Sequence, residues 1–385
     1  MRSTVIRTEA GLDELQGTWN ALAEKTSASY FSSFEYVRTA WTHFHGPADQ
    51  LLVLVLSDGP SVVGIAPFYV SRDERSGIPC RVVRFIAMWE GDRPQILADG
   101  DERLVWKGVI DLLCDGCRAW EVLELREQPA AGPRGEGWGV LSRSGLLWEH
   151  RPDAVGYHIP LSGSWDDYLG GLSSNTRGDW RRKARRLSEA CGGYDLEHVS
   201  DPRRMTESLE RFIALERSGW KPDAGVGLAK DETHRRFYVD IVGRLASRSE
   251  VGFYFLKCRG EDVAGLVNFA HRDVVYMRQT AYLPAQAKHS PGVILLAEVA
   301  QQLFGDRFRE YDLLGMREDE APQRYKLQWA RGRRETVEWM AYRVRSRLLP
   351  WLMARGVYRA LRRLSRGRGS PTGGAPSPLE GAQRA

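Results

Sequence analysis

Cysteine is scarce in this 385-residue chain: five residues, an odd number, spread without the clustering of a disulfide framework. A reduced, cytoplasmic protein is therefore expected. Cys114 and Cys117 form one CxxC in an apolar, helix-like run. It has no second pair and no Cys or His partner nearby, so no metal or redox centre is expected there. No apolar run reaches the roughly eighteen residues of a membrane-spanning helix. The opening residues, MRSTVIRTEAGLDELQ, lack the apolar stretch of a secretion signal. An excess of basic charge is also missing from most of the chain. Residues 331–385 hold 13 Arg, no Lys and 3 acids, leaving 42 basic and 47 acidic side chains in 1–330. The net charge of +5 thus belongs to the tail. A mildly acidic body argues against nucleic-acid binding by the folded part and confines any anionic partner, such as a membrane surface, to the C-terminus.

The length predicts two domains rather than one core. A faint repeat supports this. LLVLVLSDGPSVVGIAPFYV (51–70) and GFYFLKCRGEDVAGLVNFAH (252–271) both read as strand, glycine-containing turn, strand, with Gly59 matching Gly260 and Gly64 matching Gly265. Each hairpin is followed by a third strand (81–88, 273–282), a helix (near 102–117, and 293–304) and a closing strand (120–125, 310–315). Two tandem α/β (α+β) units are the simplest reading, each a mixed, mostly antiparallel sheet that turns parallel at its end. That change of direction leaves a V-shaped gap for a ligand. The boundary is expected near 150–158, where HRPDAVGY separates two apolar runs, giving domains 1–155 and 156–345. Residues 346–365 read as a basic terminal helix, and the Gly/Pro/Ser-rich 366–385 as a disordered tail.

Chemistry is expected in the second copy. There, strand 273–282 runs into Lys288-His289-Ser290-Pro291-Gly292 and then into a helix. Free N–H groups and the helix dipole meet at such a turn, and both favour an anion. The first copy has an acidic segment at the same place, WEGDRPQILADGDERLVWKG, and is expected only to help wall a cleft. The run Arg177, Arg181, Arg182, Lys183, Arg185 and Arg186 crowds positive charge on one helix, which suits an anionic acceptor or acids from the other domain.

Tyr282-Leu283-Pro284, the Lys288–Gly292 turn, the strand ending Asp312-Leu313-Leu314-Gly315, Tyr325-Lys326 and Trp329 resemble the GNAT acyltransferase superfamily. With Ser218-Gly219-Trp220-Lys221 and the basic run, the likeness extends to the CelD-like, cellulose-biosynthesis-associated acetyltransferases, related to Fem-type aminoacyl transferases. It covers roughly residues 15–345, and the turn has one glycine where the superfamily's pyrophosphate loop has two. The resemblance implies tandem GNAT-like domains, the first degenerate, and acetyl-CoA or another acyl-CoA as co-substrate, with no metal. It implies donor contacts at Thr280, Ala281 and Tyr282, where a strand-end N–H polarises the carbonyl, and at Lys288, Ser290, Gly292, Val293 and Ile294.

Tyr325 takes the place of the acid that protonates the leaving thiolate, with Lys326 beside it. For the base that frees the attacking amine, Asp312, Glu216 and His271 are the candidates. Trp220, Lys221, Arg177 and Arg181 are expected to contact the acceptor, a small or sugar-linked amine in exopolysaccharide or envelope synthesis. Two alternatives stay open: an aminoacyl-tRNA-dependent transferase, and a non-catalytic scaffold held at a membrane by its tail.

Overall fold

A computed structural model of the chain describes residues 1–354, leaving out 89, 118, 131–145, 220–224, 318–323, 344, 345, 347, 349 and 352. The first half contributes β1 (Arg2–Ile6), α1 (Glu9–Glu14), α2 (Gln16–Lys25), α3 (Phe34–Phe44), β2 (Gln50–Asp58), β3 (Ser61–Arg75), β4 (Ile78–Phe85), β5 (Leu97–Ala98), α4 (Glu102–Asp111) and β6 (Val122–Pro129). The second contributes β7 (Leu147–Pro160), α5 (Trp165–Gly171), α6 (Ser174–Cys191), β8 (Tyr194–Val199), α7 (Met205–Arg217), α8 (Glu232–Ala246) and the strands β9 (Val251–Cys258), β10 (Glu261–His271) and β11 (Val274–Tyr282). It ends with α9 (Pro291–Leu303), β12 (Glu310–Arg317), α10 (Arg324–Trp329) and β13 (Gly332–Tyr342).

The two hairpins form where the sequence places them. Between β9 and β10 a two-residue turn sets Arg259 and Gly260 at φ 53° and 83°, the left-handed pair that a tight hairpin needs. In the first half the equivalent turn puts Gly59 at φ 57°. Each half then makes one short parallel pairing, β4 with β6 and β11 with β12, within an otherwise antiparallel sheet. The fold is thus α/β with a mixed sheet flanked by helices, as the alternation of elements predicts.

The segment 150–158, where the domain boundary is expected, is the middle of β7. Its polarity has a cause: β7 pairs with β13 on one side and β12 on the other, and its side chains meet charged partners there. Asp153 takes the Arg126 guanidinium at 2.7 Å, and Arg151 pairs with buried Glu338. The strand order β1-β2-β3-β4-β6-β13-β7-β12-β11-β10-β9-β8 runs unbroken through both halves. β13, late in the chain, sits between β6 and β7 and zips the halves together.

On one face the largest apolar core draws on both halves, with a smaller cluster around Val82, Val122 and Met340 on the same side. Trp19, Tyr36 and Val37 of α2 and α3 join Phe237, Ile241 and Phe269 of the second half. Tyr36 and Phe237 meet edge to face at 5.5 Å. The opposite face carries two separate cores, one under α9 and one under α4. A second correction concerns cysteine. Cys191 at the end of α6 and Cys258 at the end of β9 are 67 residues apart in sequence, yet the fold brings their Cα atoms to 5.3 Å and they form a disulfide. Cys114 and Cys117 remain thiols, and burial raises both. Among the described residues, no helix is long and apolar enough to cross a membrane. The basic segment 346–365 lies largely, and the tail 366–385 wholly, outside the described residues.

Candidate active site

The second half contains the expected gap, and its cause can be read from the strand register. β11 and β12 run parallel only from Val274–Tyr276 against Glu310–Asp312. Beyond that, β11 carries an extra residue, Arg278, against β10, and β12 carries one at 313–314 against β7. Leu314 takes a left-handed φ of 63° there. A bulge bends its strand and re-aims a side chain, so two bulges at the same level part the strands. Among the described residues, the β11–β12 pairing ends at Tyr276 and Asp312.

The opening holds a cavity of about 330 Å³. The second half lines it with Thr280, Tyr325 and Lys326, among others. The Tyr325 hydroxyl bonds the Thr280 side chain, and burial pushes its pKa up to about 12, so it stays protonated at neutral pH. Buried Lys326 donates its Nζ to Gly315 O at 3.4 Å.

The first half lines the same cavity with Glu90, Asp92 and Glu127. These come from the acidic segment that replaces the basic turn in the first copy, and from β6. Glu90 accepts from Arg278 Nη2 at 2.9 Å and Lys230 Nζ at 2.9 Å, and lies 2.8 Å from His234 Nε2. Burial opposes its charge, but these three cations hold its pKa down to about 2. Arg278 also donates to the Glu90 carbonyl at 2.8 Å. The residue that forms the β11 bulge is therefore fastened by the other half.

Behind Glu90, Asp92 Oδ2 accepts from Gly315 N at 2.7 Å, and Asp92 pairs with Arg93. Arg93 donates its Nη2 to Asp312 Oδ2 at 2.6 Å, and Asp312 Oδ1 accepts from Leu314 N at 2.8 Å. All three charged groups are buried. Burial works against Asp92, yet Arg93, the Gly315 amide and Lys326 bring it below the ordinary carboxylate range. Burial lifts Asp312 against the pull of Arg93, and the Asp92 charge adds to the lift. Two carboxylates pushed in opposite directions around one guanidinium are a pattern of acid–base sites.

The anion turn forms, with a smaller cradle than expected. A tight helical turn, Pro284–His289, leads to Ser290 at φ 54°, and Pro291 opens α9. Val293 N and Ile294 N already donate to Ser290 O at 3.0 and 3.3 Å, and Pro291 has no N–H. What faces an anion is Gly292 N–H, the α9 dipole and exposed Lys288. That suits one phosphate more than a wrapped pyrophosphate. Ala281 is buried, and Tyr282 packs toward the α9 core, with its Cδ1 3.7 Å from where a Cβ on Gly292 would lie.

The remaining expected residues are elsewhere. Glu216 is buried and its Oε2 accepts from Leu228 N at 2.6 Å, which fastens the segment after α7. His271 lines other cavities, and burial pushes its pKa down to about 4. Arg177 donates to Gly170 O at 2.7 Å and to Leu172 O, closing the end of α5. Arg181 is exposed on α6, a helix packed against the 284–289 turn. Trp220 and Lys221 lie outside the described residues. The sequence alone does not single out Glu90, Asp92, Arg93, Glu127 or Arg278. The one available signal was acidity at the repeat position where the second copy is basic.

Residues 174–327 match the profile of the acetyltransferase (GNAT) domain family. No curated protein matches the sequence. Among solved structures, the fold is similar to that of FemX, with a TM-score of 0.61 over 89% of this chain and 98% of that one, at 10% identity. A conserved protein of unknown function from Bacteroides thetaiotaomicron VPI-5482 superposes at 0.53, with 12% identity, over 89% of this chain and all of that one. The C-terminal DUF2156 domain of a candidate lysylphosphatidylglycerol synthetase from Agrobacterium fabrum gives 0.53 at 10% identity, over 90% of this chain and 97% of that one. At such identities the likeness is one of fold. Residues 174–327 are thus similar to the acetyltransferase (GNAT) domain, within a whole-chain fold similar to that of FemX.

Proposed function

We propose that the chain is an acyl-CoA-dependent N-acyltransferase whose chemistry takes place where β11 and β12 part. The observation that carries this reading is the double bulge, which opens a cleft beside Thr280, Tyr325 and Lys326 and just before the α9 turn. When bound, the thioester supplies an activated carbonyl. This chain's residues do the rest. A backbone amide at the end of β11, near Thr280–Tyr282, polarises the carbonyl oxygen. Lys288, Gly292 N–H and the start of α9 hold a donor phosphate.

Asp312, lifted by burial, accepts a proton from the attacking amine, directly or through water. Tyr325 protonates the leaving sulfur, and Lys326 stabilises the phenolate that results. The first half contributes as well: Glu90 fixes the bulge at Arg278, so its acidic segment replaces an anion site with a brace. Membership in the CelD-like subgroup, and a role in polysaccharide or envelope synthesis, rest on the quoted motifs alone.

Calorimetric titration of the purified chain with acetyl-CoA tests the donor. Saturable binding is expected, weakened by Lys288→Glu; no heat at millimolar ligand would remove acyl-CoA from the reading. A second reading, an aminoacyl-tRNA donor, is favoured by the FemX fold and by basic α6 lying against the same turn. It requires RNA binding that falls steeply with salt.

A further inference from the structure

Helix α6 is held at both ends. Near its start Arg177 donates to Gly170 O and Leu172 O, and at its end Arg259 donates to Ala190 O at 3.1 Å and Cys191 O at 3.2 Å. Its inner face packs Leu187 and Cys191 into the core under α9. There Trp180 meets Trp165 and Trp329 edge to face, at 6.0 and 6.1 Å. The helix also lies against α9 and the 284–289 turn, which sets it beside the anion site.

The outer face of α6 presents Arg181, Arg182, Arg185 and Arg186, all exposed, with the Arg182 and Arg185 side chains 52% and 71% open to solvent. The helix holds six basic side chains and two acids, Asp179 and Glu189, a net of +4, in a body whose residues 1–330 sum to −5. Arg181 with Arg185, and Arg182 with Arg186, are like charges four residues apart, and each such pair destabilises an isolated helix. Negative charge laid along this face relieves that repulsion. The turn beside it offers Gly292 N–H, the α9 dipole and Lys288, enough for one phosphate. Coenzyme A brings a pyrophosphate and a further phosphate on its ribose. A phosphopantetheine arm attached to a protein brings one.

We infer that the acyl group arrives on the phosphopantetheine arm of a small acidic carrier protein, which docks its negative surface along the Arg181–Arg186 face of α6. The inference rests on the acyl-transfer reading above and changes only what carries the thioester. The arm's single phosphate sits at the α9 turn, and a coenzyme A thioester binds through the same arm without the protein contact. The acceptor nitrogen bonds the acyl carbon while the acyl–sulfur bond breaks, its electron pair leaving on the arm's sulfur. One amine proton goes to Asp312, Tyr325 protonates the sulfur, and the carrier departs as the free thiol. RNA fits this face less well. Asp179 and Glu189 lie among the arginines and pair with Arg182, Lys183 and Arg185, which a phosphate backbone cannot exploit. Trp180, the one aromatic of α6, faces the core, so no ring is offered for a base to stack on.

The test titrates the full chain at low ionic strength with acetyl-CoA, acetyl-4′-phosphopantetheine, an acidic acyl carrier protein acetylated on its arm, the same carrier without the arm, and unfractionated tRNA. The two small thioesters are expected to bind within about threefold of each other. The acetylated carrier should bind at least about tenfold tighter than either, and tighter than the armless carrier, with an advantage that shrinks as salt rises. Arg185→Glu/Arg186→Glu changes only exposed side chains and should remove that advantage. Its acetyl-CoA affinity should stay unchanged, which also shows that the variant is folded. The milder Arg185→Gln/Arg186→Gln should weaken the carrier in the same direction. Acetyl-CoA binding more than about tenfold tighter than acetyl-phosphopantetheine would overturn the inference, because the turn would then grip more than one phosphate. A carrier no tighter than acetyl-CoA, an advantage that survives charge reversal, or tRNA binding tighter than the acetylated carrier would overturn it too. If neither small thioester nor the acetylated carrier binds, the acyl-transfer reading itself falls.

Discussion

Arg93 and Asp312 are 219 residues apart in sequence, yet they form a buried ion pair of 2.6 Å at the junction of the two halves. Arg93 also pairs with Asp92, so one guanidinium neutralises two carboxylates that have almost no water around them. Removing it leaves Asp92 without a guanidinium and Asp312 with only Arg334, whose Nη1 is 3.5 Å from its Oδ2. Arg93→Ala is expected to cost about 3–5 kcal/mol of unfolding free energy, measured by denaturant titration. Adding Asp92→Asn and Asp312→Asn to that variant should recover part of the loss; an additive triple variant would show that the coupling is absent.

Tyr325 is placed to protonate the leaving group, with its hydroxyl bonded to Thr280 and its pKa raised to about 12. Tyr325→Phe keeps the ring and its packing. It should lower kcat by about 10²-fold or more, with little change in donor affinity. An unchanged kcat would assign the proton to another group.

The Glu90 cluster fixes a pH window for stability. The Glu90 pKa falls from 4.5 to about 2 on folding, so its contribution is complete above 4.5 and fades as pH drops toward 2. The neighbouring His234, whose pKa burial lowers but Glu90 and Asp231 raise on balance, contributes below its unfolded value of 6.5 and loses that contribution as pH rises through the higher folded value. Both act together between about 4.5 and 6.5. Glu90→Gln should flatten the melting temperature between pH 5 and 3 relative to the parent, with about 3 kcal/mol at stake. His234→Gln should change the curve only on its alkaline side.

The Cys191–Cys258 bond closes a loop of 67 residues. Under denaturing, non-reducing conditions, three thiols should react: Cys80, Cys114 and Cys117. Reduction should lower stability by at most about 4 kcal/mol, through the added freedom of the unfolded chain. Five reactive thiols in freshly purified protein would mean that the bond does not form where the protein is made.

Much of this architecture is legible in the sequence because local rules govern it. The Gly59 and Gly260 turns, the apolar alternation of the hairpins and the Pro291 helix start are each decided within a few residues. What could not be read is what long range decides. HRPDAVGY reads as a domain boundary because its charges are satisfied by Arg126 and Glu338, neither of them near in sequence. Glu90 and Asp92 looked like surface acids because their partners are cations and amides in the other half. Glu216 looked like a base because nothing local says that it is spent on Leu228 N–H. The two cysteines looked unpaired for the same reason.

The position of β13 bears on how the chain is made. The β6 edge at Val122–Pro129 finds its partner only in Thr336–Tyr342, some two hundred residues later. During synthesis the earlier half must therefore wait with an unprotected strand edge, a template for pairing with neighbouring nascent chains. Expressed alone, residues 1–155 should aggregate, and a supplied peptide spanning 332–342 should restore solubility.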